Sequence, residues 1–358
     1  MKSTYLGRAI FPFPLDATIV PARKTLTKTP RTVHSLCYCY ATMSDHTDPS
    51  KPTSQNVLQN PQNYPVPLSP PLPFISKDLE LSRAMSASSK SSLYSASRRD
   101  FIYEDEWLIA VNKPQGVYCE SVFESVRKVL SDSIEPGIEA SPPELHLANR
   151  LDRDTSGLML ITKSHKVAAK LVKAFTTHTV TKTYIALCIG SVPKWEKITI
   201  KSGHGRSKFG AWRVYAASDV GRKLPGGSVV RDMETSFELL SVNGQGVFKE
   251  PSEFSQTESN VVVVEERAVI DTEGKKDEIL VRASPKSGRS HQIRLHCQYL
   301  GISIRGDVKY EGLHEWRGRT YDGHELHAES LSFEHPITGL PLVFKAPLPS
   351  WASEAWQQ

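Results

Sequence analysis

Apolar and polar positions change character at Phe101. Before it neither a period of 2.0 nor one of 3.6 is sustained; after it strand-length runs and helical stripes succeed one another. Trp107–Val111 is a short apolar run, followed by the turn chemistry of Lys113-Pro114-Gln115-Gly116. Leu158–Thr162 predicts another strand. Ser164 then stands as a helix N-cap before Val167, Leu171, Val172 and Phe175, which fall on one stripe. Thr181–Gly190 alternates: Thr183, Ile185, Leu187 and Ile189 face one way, Tyr184, Ala186 and Cys188 the other, which reads as the non-apolar face. Thr235–Val242 and Glu278–Ala283 predict further strands. Ser290–Leu300 predicts a helix with Ile293, His296, Cys297 and Leu300 on one stripe and His291, Arg294 and Gln298 on a polar one, stopped by Gly301. Strands outnumber helices and do not alternate with them, which favours α+β over a doubly wound sheet.

The flanking segments read differently. Prolines crowd Pro49–Pro73 and Ser86–Ser97 is a Ser/Ala/Lys tract, so residues 43–99 predict a linker or surface-clinging arm. Leu79, Leu81 and Met85 offer it one docking helical turn. Residues 244–276, rich in Glu and Ser, predict an acidic insertion between two strands. The ordered body is then 100–349, with 350–358 as a C-terminal tail. Residues 1–42 carry six basic side chains against Asp16 alone. That composition predicts a transit peptide or a disordered leader. As a transit peptide it would send the chain to chloroplast or mitochondrion; a product starting at Met43 would be cytoplasmic or nuclear.

With 39% hydrophobic and 23% charged residues, wholesale disorder is excluded. No apolar run approaches the ~20 residues of a membrane span, so no membrane partner is expected. Five cysteines without CxxC spacing argue against a disulfide framework and a structural zinc site and suit a reducing compartment. Cys119, Cys188 and Cys297 are expected as buried thiols.

Net charge is only +5, but its distribution is uneven. Between Arg150 and Arg213 thirteen Lys/Arg face three acids, with Trp195, Phe209, Trp212 and Tyr215 interleaved. Such a field suits a polyanion held through phosphates. For Lys163–Lys173 alone, a solvated helix face is the better reading.

The densest polar cluster is His146-Leu-Ala-Asn-Arg-Leu-Asp-Arg-Asp-Thr-Ser-Gly157. Asp152 lies between Arg150 and Arg153, whose charges would keep it ionised, a fixed oxygen nucleophile or ligand and not a proton donor. A salt-bridged turn is the commoner use of such pairs. Here, however, Arg150-Leu-Asp-Arg-Asp-Thr-Ser-Gly-Leu-Met-Leu-Ile161 resembles the nucleophile motif of RluA-type pseudouridine synthases. Lys182-Thr-Tyr184-Ile-Ala186 resembles a second motif of that family. Ser287-Gly-Arg-Ser-His-Gln-Ile-Arg-Leu-His296, with Arg305-Gly-Asp307-Val-Lys-Tyr310 after it, resembles a third. Val111-Asn-Lys-Pro-Gln-Gly116, His327-Ala-Glu-Ser-Leu331 and His335-Pro336 fit as well, so the resemblance spans about residues 101–349. Asn149 departs from it, since relatives usually carry His there.

The resemblance implies a pseudouridine synthase fold, with a mixed, mostly antiparallel central sheet, flanking helices and a basic RNA-binding cleft. It implies uridine isomerisation in structured RNA (rRNA or tRNA), with Asp152 as nucleophile, Tyr184 stacked beneath the base (its acceptance of the C5 proton left open), and Arg294 paired with Asp152. Arg150 matches the position that enters the helix vacated by a flipped base, and flipping is required because C1′ and C5 cannot exchange places inside a stack. Arg153, Lys182, Arg206, Lys208, Arg289 and His291 complete the RNA-binding candidates. No metal and no small-molecule cofactor is expected, and the chain is expected to act as a monomer. A catalytically silent RNA-binding protein on the same fold, and a carbohydrate-active hydrolase, are the competing readings.

Two other signals are set aside. His324-Glu-Leu-His327 is one residue short of the zinc-protease helix. Gly203-His-Gly-Arg-Ser-Lys-Phe-Gly210 is Gly-rich and basic but lacks the strand-loop-helix context of a nucleotide site, and reads as an RNA-contacting loop.

Overall fold

A computed structural model describes residues 63–74, 77–132, 144–246, 260–268 and 274–357. The leader expected at 1–42, and the arm up to residue 62, lie outside the described residues. Helix α1 (Lys77–Leu93) leads into strands β1 (Phe101–Glu104) and β2 (Leu108–Lys113), helix α2 (Cys119–Ser131), strands β3 (His146–Leu147) and β4 (Ser156–Thr162), and helix α3 (His165–Thr176). Next come strands β5 (Thr181–Gly190), β6 (Lys197–Arg206), β7 (Trp212–Tyr215), β8 (Arg231–Val242), β9 (Gln245–Gly246), β10 (Asn260–Val263) and β11 (Asp277–Pro285). Helix α4 (Gln292–Tyr299), strand β12 (Ile302–Ile304), the small hairpin β13 (Glu315–Trp316) and β14 (Arg319–Thr320), strands β15 (Leu326–Glu334) and β16 (Pro341–Lys345), and helix α5 (Ser350–Gln357) complete the chain.

One sheet runs β1-β2-β4-β15-β5-β11-β8-β6-β10. Its pairings are antiparallel except β4 with β15 and β6 with β10, so the architecture is the mixed, mostly antiparallel α+β one. Every residue of β4 is buried, which is why it reads as an unbroken apolar run. Leu158 and Leu160 pack with Val167 and Leu171 of α3, while Met159 and Ile161 pack with Val122 and Val126 of α2. Ser164 is the N-cap of α3, though its side chain makes no cap bond. The three predicted thiols are free and buried.

Strand β5 corrects the expected polar face. Ile185 and Leu187 pack with Ala352, whereas Ala186 and Cys188 pack with Leu295 and Cys297 of α4. Tyr184 therefore shares the side of the sheet that carries α4. That helix is not striped either: residues 292–298 are all buried, because the sheet covers one flank and the loop after β12 another. His291 caps it in the left-handed region, φ +58°, and Gly301, φ +72°, follows its end.

The segment boundaries also move. The expected tail 350–358 contains α5, whose Trp351, Ala352 and Trp356 cover Ile185, Leu187 and Leu280. The expected insertion 244–276 supplies β10 to the sheet and buries Val264; apolar Val261–Val264 was masked by its acidic surroundings. Residues 247–259 and 269–273 lie outside the described residues. In the arm, Leu81 and Met85 are exposed, and α1 docks instead through buried Arg83 and Ala87. The guanidinium of Arg83 donates to the carbonyls of Gly306 and Tyr321. Upstream, Leu68 N–H donates to the carbonyl of Val214 at 2.8 Å, and Ser69 accepts from Arg213.

Candidate active site

Asp152 sits on the loop between β3 and β4. Buried Lys113 fastens that loop: its ammonium donates to the carbonyls of Pro114 (2.9 Å), Val117 (2.7 Å) and Arg153 (2.8 Å). Burial pushes this lysine down to about 8. Past Asp152, Thr155 shares a hydrogen bond with His324 at 2.8 Å and Ser156 one with His327 at 2.9 Å. The two imidazoles of the set-aside His-Glu-Leu-His run thus anchor the strand that follows the loop.

Arg294 reaches Asp152 from α4, with Nη1 donating to Oδ2 at 2.7 Å. Its other edge meets Asp307 twice, Nε to Oδ2 at 2.6 Å and Nη2 to Oδ1 at 2.9 Å. The Tyr310 ring lies 5.0 Å from the guanidinium carbon. His291 Nε2 is 3.9 Å from Asp152 Oδ2, and its Nδ1 shares a 2.7 Å hydrogen bond with Tyr310 Oη. The Asp152 side chain keeps 34% exposure while that of Arg294 keeps 9%, so the carboxylate faces open space and the cation lies behind it.

Burial alone would raise the Asp152 carboxyl. Positive charge outweighs it, and the carboxyl lies well below the usual carboxylate range. Burial and the Arg294 charge push His291 down to about 3, and His324 down to about 4. Both imidazoles are then neutral at pH 7, so the guanidinium is what keeps Asp152 ionised. The sequence assigned that effect to Arg150 and Arg153, but these turn elsewhere. Arg150 pairs with Glu120 at 2.7 Å, and Arg153 makes a two-point contact with buried Asp154.

A cavity of about 570 Å3 opens over the carboxylate and is lined by Asp152, Tyr184, Arg294, His291, Arg150 and Trp212 among others. Burial first, then the Asp152 charge, pushes the Tyr184 phenol up to about 12, so it stays protonated at neutral pH. The three residues expected at the chemical centre thus meet in one cavity, from a loop, a strand and a late helix.

The other candidates divide. Arg153, Lys182, Arg289 and His291 also line this cavity. Lys182 is buried, donates to the Ser287 carbonyl at 3.1 Å, and is pushed down to about 8 by burial. Arg289 is held by Asp232 at 2.7 Å. Arg206 lies over the Trp212 ring at 4.7 Å, and Lys208 over Phe209 at 4.9 Å, away from this cavity's lining. Sequence reasoning gave no role to Asp307 or Lys113, although both stand inside quoted motifs. An acid thirteen positions after the arginine carries no signal by itself, since its pairing with Arg294 exists only in the fold.

Residues 107–299 match the RNA pseudouridylate synthase family. The chain is 63% identical over 294 residues to RNA pseudouridine synthase 1 of Oryza sativa subsp. japonica, covering 81% of this chain and 84% of that protein. It is 62% identical over 293 residues to RNA pseudouridine synthase 1 of Arabidopsis thaliana, covering 81% and 88%. Ribosomal large subunit pseudouridine synthase C of Pasteurella multocida (strain Pm70) is 32% identical over 267 residues, covering 73% and 68%.

Proposed function

The chain belongs to the RNA pseudouridylate synthase family and is an RNA-modifying isomerase, and from that premise we propose that Asp152, Arg294 and Tyr184 carry its chemistry. A uridine flipped out of its RNA enters the cavity with C1′ over Asp152. As the N1–C1′ bond breaks, its electron pair stays on the uracil and C1′ becomes electron-poor. A fixed anion at that point lowers the barrier because it needs no reorganisation. The detached uracil turns, C5 bonds to C1′, the C5 proton leaves and N1 gains one, so the product is an isomer of the substrate. Arg294 keeps the carboxylate charged and aimed. Tyr184, a protonated phenol, supports the uracil ring from the sheet side and is a poor proton acceptor in this state.

The observation that carries this reading is the 2.7 Å Arg294–Asp152 contact at the wall of an open cavity. Asp152→Asn is expected to abolish tritium release from RNA labelled at uridine C5 while RNA affinity stays within severalfold. Turnover equal to the native chain would remove Asp152 from the mechanism. Absence of tritium release by the native chain, with RNA still bound, would bring forward the competing reading of a silent RNA-binding protein.

For the substrate we infer structured RNA, with ribosomal RNA ahead of tRNA, since the Pasteurella relative is named for the large ribosomal subunit. Arg150, exposed at the cavity mouth, is suited to fill the gap left by the flipped base. Mapping pseudouridines across the transcriptome of a knockout decides between the RNA classes. Tagging the native N-terminus decides between an organelle, as the composition of residues 1–42 suggests, and a cytoplasmic or nuclear product starting at Met43.

A further inference from the structure

Beside the main cavity a smaller one, about 220 Å3, lies between the end of β6 and the turn before α4. Trp212 and residues 288–290 wall both cavities, so the two adjoin. Arg206, Arg231, Arg289 and His204 surround the smaller one. Arg231 stands opposite His204 in the β6–β8 register, and Arg206 opposite Trp212 in the β6–β7 register. The Trp212 ring stacks with His204 at 4.8 Å and carries the Arg206 guanidinium on its face.

Charge here is unbalanced. Asp232 takes Arg289, but among the described residues no carboxylate lies within ion-pair distance of Arg206 or Arg231. His204 donates from Nε2 to the Ser290 carbonyl at 3.0 Å, and burial together with Arg289 and Arg231 pushes it down to about 4. Arg206 and Arg231, beside the Asp232-held Arg289, leave this small cavity with an excess of positive charge that an entering anion would relieve. A guanidinium laid on an aromatic face keeps donors free for phosphate oxygens.

We propose that this cavity seats a phosphodiester of the same RNA strand whose uridine occupies the main cavity, with Arg206 and Arg231 as its ligands. The inference rests on the RNA-isomerase reading and extends it by giving the strand a path away from the reacting nucleotide, along the β6–β7 hairpin. Both side chains are exposed, so truncating them leaves the core untouched.

The test is the affinity for a fluorescein-labelled uridine-containing stem-loop RNA as a function of KCl. The Arg206→Ala/Arg231→Ala double variant is expected to bind severalfold more weakly, with the log–log salt slope reduced by about one in total, as for the loss of one phosphate contact. Arg206→Lys/Arg231→Lys, which keeps both charges, is expected to retain the native slope. A native slope in the alanine variant overturns the site, and so does an equal loss in the lysine variant, which would mark distortion instead of lost charge. Tritium release by the unaltered chain reports isomerisation separately: if it is absent the isomerase reading fails, while the slope still decides the phosphate site.

Discussion

Asp307 grips Arg294 by two hydrogen bonds and leaves only one guanidinium edge for Asp152. One cation therefore serves two carboxylates, the inner one fully enclosed and the outer one open to the cavity. The inner acid sets the direction in which the arginine points, and hence where the outer carboxylate is held. Asp307→Asn should lower stability by about 3 kcal/mol, the low end for breaking a buried pair, because Asp152 still faces the cation. It should also lower kcat by about 10²-fold with little change in KM, as expected when a reacting group is misplaced. Thermal unfolding and tritium release measure the two effects, and native kcat in a destabilised variant would reduce Asp307 to a packing residue.

The pH dependence follows from the same pair. Asp152 is ionised far below neutrality, so the native chain should show no loss of kcat from this group between pH 5 and 7, values about one unit or more above the ordinary carboxylate pKa of about 4. Its depressed pKa adds stability that is full above the unfolded value, declines as pH falls below it, and is gone once pH has fallen through the folded one. In Arg294→Gln the burial penalty stands unopposed and the carboxyl rises. An acid limb should then enter the kcat profile, activity falling as pH is lowered through the raised pKa. An unchanged profile in the variant would mean that Arg294 does not control the Asp152 charge.

Much of this centre is legible along the chain because Asp152, Tyr184 and Arg294 each sit in a motif with its own local pattern. Strand β4 could be read from composition because both its faces are buried. What could not be read depends on contacts between distant segments. Asp307 gains its role only when the turn after β12 brings it under α4. Lys113 looks like turn chemistry until its ammonium is seen to collect three carbonyls. The docking contact of helix α1 is polar and so leaves no apolar stripe in the sequence: the apolar Leu81 and Met85 are exposed, and Arg83 makes the attachment. Strand β10 was hidden by the Glu-rich sequence on either side of four residues.

Gly157 separates backbone strain from steric collision. Its φ is +105°, and it pairs with Ala328 where β4 and β15 run parallel. An added Cβ would run into the backbone of Ala328. At Gly210, φ +79°, nothing lies within 4 Å of an added Cβ. Gly210→Ala should then cost only the left-handed penalty, about 1–2 kcal/mol. Gly157→Ala should cost at least about 4 kcal/mol and shift the loop that bears Asp152. Urea unfolding of both variants gives the comparison, and equal costs would refute the collision.

Arg83 ties the N-terminal arm to the loop that presents Asp307. Its guanidinium donates to the Gly306 carbonyl at 3.2 Å, one residue before Asp307, and also reaches His314 and the Tyr321 carbonyl. The same helix accepts the Tyr118 N–H on Ser91 at 3.1 Å, next to the turn fastened by Lys113. Arg83→Ala strands buried acceptors and should cost about 1–3 kcal/mol. Because Gly306 adjoins Asp307, kcat should fall as well, by more than the loss of folded protein explains. Leu81→Ala, an exposed position on the same helix, should change stability by no more than about 0.5 kcal/mol and leave turnover as it is. Thermal unfolding with tritium release on both variants tests this. If Arg83→Ala matched the native chain in both, the arm would be a passenger on the catalytic body, and the Arg294–Asp307 geometry would be maintained without it.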